Sequence, residues 1–139
     1  MWGIITQIMW GAFLLVGGIY DLQKKCISFS IIIAGLILTC LCCYSSGNWK
    51  SNIIGLLAGA TFIGISKITK EALGYGDSIM CIFLGGSFGM GVLIESCTIG
   101  FVLCTVISII GIYRKKMEIK SEIPFLPFLF CGYVVRCII

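Results

Sequence analysis

The chain has 139 residues, of which 59% are hydrophobic and 12% charged, with a formal net charge of +4 and a mean hydropathy of +1.11. Soluble domains carry about twice that share of charged residues, and a chain this short has too much surface per volume to keep so much apolar area from water. A soluble globular domain is therefore excluded, and nucleic acid is not an expected partner, because no basic stripe interleaved with aromatic residues is present.

In lipid a helix needs roughly 20 consecutive apolar residues to cross the hydrocarbon core, with a usable range of about 17–25. Six runs approach that length, and none shows the period-2 alternation of a barrel strand. The first, residues 2–20, has no basic region before it and is followed by further apolar runs, so it reads as a retained helix rather than a cleaved signal. Asp21 closes it, and Lys24 and Lys25 follow. The second run covers 27–44. After a link carrying Lys50 comes the third, 52–66, short and glycine-rich, with Gly55 and Gly59 at a spacing that lets helix backbones approach closely. Lys67, Lys70 and Glu71 separate it from Gly74, Tyr75, Gly76 and Asp77, which lead into the fourth run at 78–94. That run carries a second small pair, Gly85 and Gly89. Glu95 stands at its end, before the fifth run at 97–113. A polar link with Arg114, Lys115, Lys116, Glu118, Lys120 and Glu122 precedes the last run, 123–139, in which Arg136 is embedded.

The expected architecture is all-α: one polytopic domain over residues 1–139, a bundle of six transmembrane helices. Lys24, Lys25, Lys67, Lys70, Arg114, Lys115, Lys116 and Lys120 fall on one side of such a bundle and only Lys50 on the other. The positive-inside rule makes the richer side cytoplasmic and puts both termini outside. Nine cysteines are present, and Cys40 and Cys43 form one CxxC spacing. There is no second pair and no histidine to complete a zinc site. The cysteines of the apolar runs read as small hydrophobes, and no metal or other cofactor is expected.

Glu71, Glu118 and Glu122 read as solvated loop charges and Glu95 as the outer end of a helix. Asp21 and Asp77 differ, because independent segments bring both to the same membrane depth on the same side. Either acid alone could snorkel, and Asp77 could be the N-cap of its helix. Intramembrane carboxylates are functional candidates by default, however, and glycines at 74 and 76 allow a substrate chain to approach closely beside Asp77. Two carboxyl groups in proximity cannot both ionise, so they share a proton and can activate water for attack on a peptide carbonyl.

Asp21, Leu22, Lys24, Lys25 and Ile27, then Gly74, Tyr75, Gly76 and Asp77, then the stretch Leu84, Gly85, Gly86, Ser87, Phe88 and Gly89, and finally Ile123, Pro124, Phe125, Leu126, Pro127 and Phe128 together resemble the type IV prepilin peptidases. These are membrane aspartic peptidases of the GxGD kind, whose last helix is entered through an IPFxPF segment. The resemblance implies that Asp21 and Asp77 are the catalytic pair, with Gly74, Tyr75 and Gly76 shaping the site and Pro124 and Pro127 as structural positions. It implies a pilin-like precursor, with a basic leader before an apolar helix, as substrate and partner, cleaved at the cytoplasmic face of the cell membrane without a cofactor. Ser28 and Phe29 replace the family's usual Pro-Asn, and Ile79 stands where a lysine is common. The Asp21–Ile27 connection is too short for the zinc segment of the longer members, so the likeness is to the compact form and does not extend to N-methylation of the product. Two rival readings of the same acids are a small proton or cation transport subunit and a non-catalytic partner in pilin assembly.

Overall fold

The computed structural model describes residues 1–24, 28–69, 74–115 and 123–139. Ile27, Lys25, Lys70, Glu71, Lys116, Glu118, Lys120 and Glu122 lie outside the described residues. Among those described, the chain forms six helices and no strand: α1 (Trp2–Lys24), α2 (Phe29–Ser46), α3 (Trp49–Ile68), α4 (Tyr75–Phe88), α5 (Met90–Tyr113) and α6 (Leu126–Ile138). Four segments, Gly3–Lys24, Phe29–Ser46, Trp49–Ile68 and Met90–Tyr113, are long and apolar enough to cross a membrane. The 14 residues of α4 and 13 of α6 extend only about 20 Å each.

The main departure from the sequence expectation is at Gly89. Its φ of 86° and ψ of 178° lie in a region open essentially to glycine alone. There α4 stops, and α5 starts at the next residue. Residues 90–96, expected as the end of the fourth helix and an outer link, are instead the first turns of α5. Glu95 and Ser96 look like a polar break in the sequence, but each has a partner surface on α6. Glu95 forms an ion pair with Arg136, and Ser96 is fully buried where its backbone oxygen lies against Gly132. Helical hydrogen bonding thus continues through a stretch whose composition suggested a loop.

Helix directions follow from which residues meet. Cys81 approaches Cys97 with sulfurs 3.8 Å apart, and Leu93 lies against Gly85. Both pairs are equidistant from Gly89, so α4 and α5 form a tight antiparallel hairpin. The α3–α4 contact is also antiparallel and very close: a methyl group on Gly59 would come within 2.5 Å of the Ile82 Cα, and one on Gly55 would strike the carbonyl of Gly85. Gly55 and Gly59 therefore pack helix on helix as their spacing predicts. Gly89 of the second small pair instead makes the turn. On the other flank, α6 runs antiparallel to α5, with Gly100 at Phe128 and Gly132 at Ser96, and antiparallel to α1, with Gly18 at Pro127 and Gly11 at Tyr133.

The interior is filled by Trp10, Leu14, Met80, Leu84, Leu93, Leu126 and Leu129, all without exposed surface. Small polar side chains enter it with their hydrogen bonds closed on helix carbonyls. Thr39 donates to Gly35 at 2.8 Å, Ser87 to Phe83 at 2.8 Å and Ser78 to Phe62 at 3.2 Å. Ile4, Ile8, Leu36, Ile54, Leu57, Val102 and Ile109 face outward and are exposed. Apolar residues inside and outside together mark a membrane protein, whose outer surface meets hydrocarbon rather than water.

Candidate active site

Asp21 lies in the last turn of α1, which continues to Lys24. Asp77 is the third residue of α4. The cap of α4 is Gly74, in an extended conformation, with its carbonyl accepting the Ser78 amide at 3.2 Å. Asp77 is therefore not the N-cap, and its carboxyl group is left to other partners. Both acids are buried, each with 8% of its surface exposed, which leaves a narrow access for water.

The helix directions bring the two acids to one end of the bundle. Gly18, one turn before Asp21, sits at Pro127, so the end of α1 lies beside the start of α6. The start of α6 in turn lies against α5, where the Phe125 ring stacks on Phe101 with centroids 4.5 Å apart and 24° between planes. Phe125 is itself buried, and its ring also lies 3.3 Å from the Cβ position of Gly100 on α5. Asp77 and Asp21 are near enough to interact electrostatically. The structure thus brings these two acids together, out of helices far apart in sequence.

The other residues expected at the site take varied positions. Gly74 lies directly beside Asp77, and a Cβ there would stand 3.4 Å from Oδ2; its value is open space rather than an unusual backbone angle, since its φ is −58°. Tyr75 is 43% exposed at the rim. Gly76 is half-buried in the first turn of α4. Pro127 stands within the first two positions of α6, where no intrahelical amide bond is lost, and Pro124 is half-buried just before Phe125. Phe125 itself was visible in the sequence only as part of a motif.

At the opposite end of the bundle, Glu95 and Arg136 face a shallow depression with Ile94, Thr98, Ile99 and Ile139. Arg136, with no partner in the sequence reading, has one in the structure.

A family model described as the type IV leader peptidase family matches residues 8–109, a range that contains Asp21 and Asp77 and stops short of Ile123. Comparison with curated proteins and with solved structures finds no match.

Proposed function

Because this chain belongs to the type IV leader peptidase family and is a peptidase of that kind, we propose that it is an aspartic endopeptidase acting through Asp21 and Asp77. Its substrate is a pilin-like precursor whose short basic leader precedes an apolar helix, and the leader is removed at the cytoplasmic face of the cell membrane. The observation that carries this reading is that two buried carboxyl groups share one end of the bundle, near enough to interact electrostatically.

The chemistry needs no cofactor. Two adjacent carboxyl groups share one proton because like charges at short range cannot both persist. The ionised acid takes a proton from water as the oxygen attacks the scissile carbonyl. The protonated acid hydrogen-bonds the carbonyl oxygen, and a proton is then delivered to the leaving amine as the C–N bond breaks. The two titrate as a unit, so neither has a fixed role through the cycle.

The cytoplasmic orientation is supported by charge. Lys24, Lys67, Arg114 and Lys115 belong to the helix ends on the side of the two acids, and Lys50 to the other side. The α4 and α6 helices then complete a six-span bundle with both termini outside. Their shortness is compatible with a bilayer thinned near the site, where water and a polar leader must enter. The 139 residues act as one membrane-embedded domain, and N-methylation of the product is not part of the proposed activity.

The test is leader cleavage by purified protein in detergent or liposomes. Asp21→Asn and Asp77→Asn preserve shape but cannot form the shared-proton pair. Each variant is expected to insert, accumulate and lose cleavage by several orders of magnitude. Normal processing by either variant would rule out the mechanism.

A further inference from the structure

Cys81 and Cys97 take no part in the proposed chemistry, yet their sulfurs lie 3.8 Å apart across the α4–α5 hairpin, a contact in which either thiol can donate. Cys81 has no exposed surface and Cys97 is 3% exposed. The pairing is built into the path of the chain. Gly89 turns α4 directly into α5, and the two helices then face each other turn by turn, at equal distances from it. Gly85 meets Leu93 at the first turn, and Cys81 meets Cys97 at the second. The same spacing pairs positions 77 and 101 at the third, so Cys81 stands one turn, about 6 Å, along α4 from Asp77.

Packed free cysteine ordinarily behaves as a small hydrophobe, and burial shields it from aqueous reagents. Two features set this pair apart. The sulfurs already touch in a register fixed by Gly89, so a reagent that activates one thiol finds the other in reach. Cys97 also borders the lipid-facing side of α5: Ile94 and Phe101, about a turn before and after it, are 48% and 40% exposed. An apolar reagent dissolved in hydrocarbon thus has a short path to the pair. A soft cation fits less well, because both thiols would have to lose their protons and a net charge would be left in hydrocarbon. A disulfide is neutral, like the dithiol it replaces.

We infer that Cys81 and Cys97 form an oxidative modification site, which an apolar two-electron thiol oxidant closes to an intramolecular disulfide, and that closure draws α4 and α5 together one turn from Asp77 and suppresses cleavage. The sulfurs must approach from 3.8 Å to about 2.05 Å. On its other side α4 is fixed against α3, where Gly59 and Ile82 leave no room for a Cβ. The dithiol form is the one in which the two acids share one end of the bundle, and a displacement of about 1 Å at the Asp77 turn costs on the order of a hundredfold in rate. The effect on cleavage rests on the catalytic reading of the two acids given above; the disulfide itself does not.

Molecular iodine, small and soluble in hydrocarbon, is the probe. The Cys97 sulfur gains an iodine atom and releases HI. The Cys81 sulfur then forms the S–S bond as the S–I bond breaks, and a second HI leaves, so two thiols lose two electrons and I2 is reduced to two iodides. The full chain in liposomes is treated with iodine, its free thiols are blocked with N-ethylmaleimide, and it is digested for mass spectrometry without reduction. A peptide joining Cys81 to Cys97 is expected. With a precursor carrying a basic leader and an apolar helix, kcat is expected to fall at least about tenfold and to recover in dithiothreitol. Cys81→Ala and Cys97→Ala are expected to lose the cross-link and to keep cleaving after iodine. Absence of the joined peptide from the parent chain overturns the site, and that result needs no substituted chain to fold. A cross-linked chain that cleaves at the full rate overturns the control of cleavage, as does equal inhibition of Cys97→Ala, in which iodine must act elsewhere. A chain that cross-links but cleaves nothing, even in dithiothreitol, overturns the peptidase reading and leaves the disulfide site standing.

Discussion

A carboxyl group at the edge of hydrocarbon is costly unless it meets water or a partner, and Asp21 and Asp77 share one end of the bundle, each keeping a narrow opening. Gly74 preserves that opening by presenting no side chain at 3.4 Å from Oδ2. Elsewhere one residue governs the path of the chain. Gly89, at φ 86° and ψ 178°, has the Ser51 hydroxyl in the space where a Cβ would stand. Gly89→Ala is expected to destabilise the protein by about 1–3 kcal/mol from backbone strain, with the clash adding to this. Thermal unfolding in detergent measures the loss, and Gly91→Ala, at a helical position with nothing near it, serves as the neutral comparison.

Between helices, lipid supplies no hydrophobic force to drive association, so close backbone packing and hydrogen bonds must do it. The α3–α4 pair is built this way along its length. Gly55 meets Gly85, Gly59 meets Ile82, and the Ser78 hydroxyl reaches the Phe62 carbonyl. At the far end of α3 the Asn52 amide donates to Ser46 at 2.9 Å, tying the α2–α3 turn. Because α4 carries Asp77, this pair sets where that acid sits. Gly55→Val would press two methyl groups on a carbonyl that cannot move aside. The expected cost is at least about 1–3 kcal/mol, with reduced cleavage and a lowered thermal midpoint. Gly64→Val on the same helix faces open space and should leave the unfolding free energy within about 0.5 kcal/mol of the parent.

At the scale of the molecule, the helix directions put both termini at one end, where Tyr133 donates to the Gln7 carbonyl at 3.2 Å, and both acids at the other. The proposed orientation predicts that alkaline phosphatase fused after Ile139, or in the turn at Asn48, is exported and active. Fusions after Thr69 or Lys115 stay inside and inactive. The reverse pattern would move the acids to the outer face and remove cytoplasmic cleavage from the proposal.

Helix number, membrane character and the two acids were legible in residue order alone, because each depends on local composition. An apolar run long enough to span hydrocarbon is a helix whatever its neighbours, and an aspartate among so few charges stands out. The hairpin at Gly89 was not legible: an uninterrupted apolar stretch contains no polar mark of a turn, and Glu95 with Ser96 supplied a false one. The partner of Arg136 was also hidden, since the ion pair joins segments remote in sequence. The sequence by itself determined that this is a helical membrane protein with acids at two helix ends. Only the tertiary structure decided that α1 and α4 bring those ends to one side with little direct packing between them, because close glycine surfaces hold α1 on α6 and α4 on α3.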